Sequence, residues 1–451
     1  MADSTLSIDF RAASLGYTAG EYAKFRKHAW LMLLMFSILY LFLYGGRFNL
    51  GLAIPLMTEQ MGWTKTQLGI LSSVMFWTYG FGHLFNGRLG EIFGVKRFIV
   101  AGAILSAATN VFISFQDSLL LITVLWGFNG YFQSMLWSPG LALMARWWPG
   151  NTRGFATGLS NGFSGLGQVV TWFLVAIAFA LVPGPAGPDG QPGPGDWRAA
   201  FTIPVIGILC VVGFFYFLVK GRPSDVGLKE YKEAEPERVE QEAALEAIVA
   251  SKGKIYPYIY LFSQWRFVLW CFIVAGSNTA RYGLLTWIPS YYKEALQMDV
   301  KAGIVGSVWL PLGMALGTVI VPWITDKYCS INRLPAVIIC ALAAGATVFL
   351  FPYLTDPFIV AGVLFLAGFF IYAINGVVWA YATDVGGRFF SGTATGILDW
   401  AAYMGAAMQA IIFGAILDTG AWNLLFIVVG GVCVANAVFA VLAGVGNKKI
   451  A

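Results

Sequence analysis

Two arginines lie where arginines are costly. Arg281 sits within an apolar run from Phe267 to Tyr292, long enough to cross a bilayer, and Arg47 sits within another. A guanidinium there costs about 2.5–3.5 kcal/mol on insertion scales, so a carboxylate, a water-filled cavity or an anionic ligand must offset it. Both are followed by Ile-Pro at the seventh and eighth positions (Ile54-Pro55 and Ile288-Pro289), and they stand 234 residues apart. A planar donor fork suits phosphoryl, sulfonyl or carboxylate oxygens. Matching cations in two halves predict an anion site on a pseudo-two-fold axis. Asp399, in a later apolar run, would need a partner or a proton in such surroundings, which makes it a candidate coupling group. Tyr282, Gln133, Asn161 and His83 are further polar or amphipathic groups within the spans.

The elements that must position these groups are membrane helices. The chain has 451 residues, is 58% hydrophobic and 11% charged, and has a mean hydropathy of +0.71. Those values predict an all-α polytopic membrane protein. Apolar spans fall at about 29–57, 67–90, 97–115, 119–145, 154–182 and 199–219, and again at 266–294, 302–325, 334–352, 357–382, 390–417 and 422–445. That arrangement gives twelve helices in two six-helix bundles, at 29–219 and 266–445. Flanking them are an N-terminal segment (1–28), a linker (220–265) and a tail (446–451). Within the linker, Val239 to Ala250 reads as an amphipathic surface helix, and Pro183 to Asp196 as an irregular spacer. Lys and Arg crowd the termini, the linker and the even-numbered loops, so the positive-inside rule places both termini in the cytoplasm of a plasma (inner) membrane protein.

Other chemistry is not called for. Dispersed cations at a net charge of +5 give no nucleic-acid stripe. Five cysteines without ligand spacing and only two histidines predict no metal and no cofactor. Without a G-x-x-x-x-G-K-S/T loop, ATP-driven transport is not expected, nor is any enzyme activity.

The halves repeat beyond the arginines. Gly87-Arg88-Leu89-Gly90-Glu91-Ile92-Phe93-Gly94-Val95-Lys96-Arg97 has a counterpart at Thr325-Asp326-Lys327, with Glu91 and Asp326 offset by 235. Gly154 to Gly158 matches Gly392 to Gly396 at an offset of 238. Such repeats typify secondary transporters that bind substrate between their halves.

The Gly87–Arg97 stretch resembles the signature joining helices 2 and 3 of the major facilitator superfamily. Arg281 to Tyr291, with Phe132-Gln133, Arg146-Trp147-Trp148, Arg153-Gly154 and Pro223 to Leu228, resembles the organophosphate:phosphate antiporters within it. The resemblance covers nearly the whole chain. It implies that Arg47 and Arg281 bind a phosphoryl group, that two halves rock about it, and that Tyr282, Gln133 and Asn161 face the cavity as candidate substrate contacts, with His83 a further candidate. It also implies that Glu91, Arg97, Asp326 and Lys327 act as gating groups. Against glycerol-phosphate members, Phe48 stands for a Lys, Thr286 for an Asp, Ser164 for a His and His83 for a Lys. The expected function is secondary transport of a small organic anion by a monomer. Proton-coupled symport of a carboxylate or sulfonate through Asp399 is the alternative, and a transporter-like sugar-phosphate receptor a further one.

Overall fold

The structure is a computed structural model that describes residues 15–186, 193–230, 251–253, 256–328 and 334–445. The expected surface helix at 239–250 lies outside them. The described chain is helical; its one β-bridge joins Gly184 to Gly193 across the expected spacer.

In chain order the helices are α1 (Ala19–Leu43), α2 (Asn49–Met61), α3 (Lys65–Phe93), α4 (Val95–Ile113), α5 (Leu119–Trp147), α6 (Gly150–Leu181) and α7 (Ala199–Leu218). After the linker come α8 (Tyr256–Ser263), α9 (Trp265–Glu294), α10 (Val300–Ser307), α11 (Trp309–Tyr328), α12 (Leu334–Phe349), α13 (Pro357–Asp418) and α14 (Trp422–Gly444). Thr18 and Thr64 start α1 and α3 with reciprocal capping boxes to Glu21 and Gln67.

Four expected spans are built differently. The first is broken: α1 passes into a 3-10 turn at Tyr44–Gly46, and helix resumes only at Asn49. Gly45 and Gly46 each cost about 1 kcal/mol in a helix interior relative to Ala, which makes this the weak point of the run. The eighth span is interrupted at Val308, between α10 and α11. The tenth and eleventh spans are joined by helix, so that α13 is continuous over 62 residues. No proline interrupts the junction, and its backbone bonds carry on through Gly386 and Gly387.

A straight helix of that length would measure about 93 Å, some three bilayer thicknesses. Instead, α13 crosses and returns. Phe351, just before it, and Trp422 and Phe426, just after it, all pack on Tyr291 near the end of α9. Both ends of α13 therefore lie on one face of the protein. The start of the linker lies on the other face, where Trp147 Nε1 donates to Lys220 O (2.9 Å) and Lys24 Nζ to Val226 O (2.6 Å).

The halves meet along matching seams. α3 packs on the returning half of α13, α6 packs on α10 and α11, and α2 packs on α9. Under the repeat read from the sequence, the α3–α13 seam is the image of the α6–α11 seam. The α2–α9 contact is its own image, as a two-fold axis requires. On the α3–α13 seam the backbones nearly touch. A Cβ on Gly69 would sit 2.2 Å from Ala410 O.

The end of this seam remote from the linker is locked by charge. Lys65 Nζ pairs with Glu294 at 2.5 Å, and Lys293 pairs with Glu59. Asp418 accepts from the backbone N–H groups of Lys65 (2.6 Å) and Thr66 (3.0 Å), capping α3 from across the seam. Each of these bonds joins the two halves, so it can exist only while this face is closed. Reversing Lys65 or Glu294 alone should open the face, shifting the population about fivefold for a loss near 1 kcal/mol. Impermeant-thiol labelling of a Ser72→Cys variant, nearly isosteric and buried near the α2–α9 crossing in the closed form, reads that opening. The exchanged pair Lys65→Glu/Glu294→Lys should restore closure; labelling that stays high in the exchanged pair counts against a latch.

Candidate functional site

Arg47 emerges from the break in the first span. The interruption frees carbonyls that a helix would satisfy, and in a membrane these must be bonded within the protein. Gln133 Nε2 donates to Leu43 O (3.1 Å), and Asn129 Nδ2 donates to Gly46 O (2.8 Å). Asn110 and Asn49 extend the network at 2.9 Å, and Ser106 bonds both Asn129 and Gln133. Gly46 admits these amides because a Cβ there would lie 3.1 Å from Asn110 Nδ2 and 3.2 Å from Gln133 Nε2. The buried polar residues of α4 and α5 thus support the break, and the break presents Arg47. Gln133, expected as a substrate contact, is a support of this kind; its Oε1 accepts from Arg47 Nη2 at 3.4 Å.

Arg281 is carried differently, by an unbroken α9. The pseudo-symmetry of the two arginines therefore holds in sequence and position but not in backbone form. Both are buried, at 6% and 5% exposure. Among the described residues neither forms an ion pair with a carboxylate. Arg47 Nε and Nη1 and Arg281 Nε and Nη2 are buried without hydrogen-bond partners.

What surrounds them is aromatic. The Arg47 guanidinium lies 4.1 Å from the Tyr79 ring centre and 5.2 Å from that of Tyr44. Arg281 lies 4.1 Å from Tyr372 and 4.7 Å from Tyr282. Tyr282 joins the two shells: its ring stacks on Phe48 at 5.8 Å and meets Phe76 at 4.7 Å and Tyr403 at 6.1 Å. Desolvated cation–π contacts give about 2 kcal/mol each, which reduces but does not remove the cost of a buried cation. An oxyanion placed between the arginines would occupy donors that nothing else uses.

His83 and Asp399, flagged separately in the two halves, come together on the α3–α13 seam. His83 Nδ1 lies 3.7 Å from Asp399 Oδ2 and 2.9 Å from Ser138 Oγ. Tyr79 and Tyr403, one turn from each on the same faces, meet at a tilt with ring centres 4.5 Å apart. His83, an expected substrate contact, thus sits beside Asp399 and Ser138 on this seam. Asn161 Oδ1 and backbone O accept from Ser164 Oγ, at 3.5 and 2.6 Å, and no contact ties it to either arginine. The side chains of Glu91, Asp326 and Lys327 lie outside the described residues, while Arg97 is exposed at the start of α4.

Sequence reasoning missed Tyr79, Tyr372 and Tyr403. A signal was there for two: Tyr79 is four residues before His83, and Tyr403 four after Asp399, so each shares a helix face with a flagged group.

The chain belongs to the Major Facilitator Superfamily, whose family model matches residues 36–410. It is accordingly a multi-pass membrane transporter rather than an enzyme, and within the superfamily it resembles the organophosphate:phosphate antiporters. It is 24% identical to a probable hexose phosphate transport protein of Chlamydia trachomatis, over 90% of this chain and 89% of that one. It is 25% identical to the probable sulfoacetate transporter SauU of Cupriavidus necator, over 89% and 90%. Among solved structures, a bacterial homologue of the human lysosomal transporter Spinster, inward-facing and unoccupied, superposes with a TM-score of 0.71 at 15% identity. That match covers 92% of this chain and 95% of the other, and supports the twelve-helix fold.

Proposed function

We propose that this protein is a secondary transporter of a small organic anion, which it binds between Arg47 and Arg281 and moves by rocking its halves. One observation carries the reading: two buried guanidiniums, one from each half, hold unpartnered N–H groups inside a shared aromatic shell. The relatives named for hexose phosphate and sulfoacetate transport support an anionic substrate. In the proposed cycle the two bundles, 29–219 and 266–445, are the rocking bodies. The face bearing the linker is cytoplasmic, on the distribution of Lys and Arg. Glu91, Arg97, Asp326 and Lys327 would gate that face. Uptake of phosphorylated, sulfonated and carboxylated anions into proteoliposomes tests the reading, and binding without flux would favour a receptor.

The meeting of His83 and Asp399 favours a second reading, proton-coupled symport. If Ser138 donates to Nδ1, the single lone pair of that nitrogen is spent there, and the neutral ring offers Asp399 no proton at Nδ1. Two acceptors 3.7 Å apart are held comfortably only when one of them carries a proton.

A further inference from the structure

Beside Arg47 lies a niche that the anion site does not itself explain. It is a cavity of about 20 Å³ lined by Phe48, Leu50, Met75, Phe76, Trp126 and Leu285, with Thr286 and Ser72 as its hydroxyl groups. Its floor is the crossing of α2 and α9, where a Cβ on Gly51 would lie 3.2 Å from Thr286 Cα. Two of its walls, Phe48 and Phe76, also press on Tyr282, so the niche opens between the two aromatic shells. The volume holds roughly one water or one methyl group.

The polar atoms around it are mismatched to a sugar. Arg47 offers only donors, as does the Trp126 indole N–H, which is buried and unpartnered. The Ser72 hydroxyl proton is committed to Leu68 O at 2.9 Å, which leaves its oxygen as an acceptor only. The amide N–H groups of Gln133 and Asn129 are engaged by the backbone of the break. A substrate hydroxyl brings a proton that needs an acceptor, and among the side chains lining the niche only the Ser72 and Thr286 oxygens supply one, too few for a polyhydroxylated chain. Hydroxyls left underbonded when buried are penalised, whereas a methylene is welcomed by the rings.

Building on the anion site proposed above, we infer that this niche is a subsite for a short unhydroxylated carbon body. The preferred substrates are then small alkyl-type oxyanions, with the oxygens on the arginines and the terminal carbon against Phe48 and Phe76. Polyhydroxylated sugar phosphates are disfavoured by the same lining.

Two phosphonates with identical headgroup and chain length isolate the effect: propylphosphonate and 2,3-dihydroxypropylphosphonate. Titrated into the purified full-length protein in nanodiscs, the propyl compound should bind at least tenfold more tightly. Phe48→Ser should bring the two within about threefold, and so should Phe76→Tyr, which perturbs packing less. Arg47→Lys should weaken both equally and leave their ratio unchanged. Equal binding in the wild type, tighter binding of the diol, or a ratio unmoved by both Phe variants would overturn the inference. Failure of both phosphonates while another anion binds in an arginine-dependent way would defeat the subsite alone. If no anion binds, the proposal of an anion site falls with it.

Discussion

Arg47→Lys and Arg281→Lys should each lower affinity for the transported anion about a hundredfold or more, with insertion and folding unchanged. Lysine keeps the charge, so the electrostatic attraction survives in part. What it loses is the fixed fork: at each site the Nε and one Nη are the unpartnered donors, and a single ammonium cannot reproduce their geometry. Truncating one member of a buried, hydrogen-bonded charge pair costs about 2–5 kcal/mol, and about 1.4 kcal/mol is tenfold in affinity. Folding should tolerate the change because neither arginine supports a structural ion pair. Arg281→Lys should leave the helix intact, since α9 is continuous there. Arg47→Lys gives up one 3.4 Å bond to Gln133, whose other bonds still hold the break. Titration of the anion into each purified variant, with circular dichroism as the folding control, measures the effect.

Asp399→Asn should abolish stimulation of uptake by an inward proton gradient while sparing exchange of substrate against itself. The reasoning is charge arithmetic. The two arginines bring +2 to the site; an ionised Asp399 reduces this to +1, and a protonated one restores +2. In a poorly solvated site, proton and anion each lower the cost of binding the other, so they load together. The groups facing Asp399 are His83 and Tyr79 from α3, Ser138 from α5 through His83, Tyr403 on its own helix, Arg47 from the break and Arg281 from α9. His83→Gln should therefore shift the pH dependence of uptake without abolishing it, because the carboxylate keeps its remaining neighbours. Gradient-driven uptake that persists in Asp399→Asn makes the acid structural and returns the weight to anion exchange.

Much of this arrangement was legible in the chain. Span positions are set by runs of apolar residues of bilayer length, and Arg47 and Arg281 stood out because such runs exclude charge. The break at Tyr44–Phe48 was not read, although Gly45-Gly46 marks it. The run is apolar on either side of Arg47 and Asn49, and the amides that make an interruption affordable sit on α4 and α5, some 60 to 90 residues away. The continuity of α13 was hidden for the opposite reason. Glycines and a cation between two apolar spans read as a loop, yet the backbone can bend and keep its bonds without a proline to stop it. The aromatic shell was least visible, because Tyr44, Tyr79, Tyr282, Tyr372 and Tyr403 come from distant segments and only the packing of the two halves brings them together. His83 and Asp399 were each legible as misplaced polar groups; that they answer one another across the seam is a property of the assembled halves.

The central claim is that anion and arginine pair are inseparable, and counterflow tests it most directly. Proteoliposomes holding the purified protein would be loaded with a panel of unlabelled phosphorylated, sulfonated and carboxylated anions, each tested against an external trace of the same labelled compound. For at least one anion the wild-type protein should give a transient overshoot, and Arg281→Lys should give none at equal protein content. An overshoot of the same height in Arg281→Lys would contradict the account.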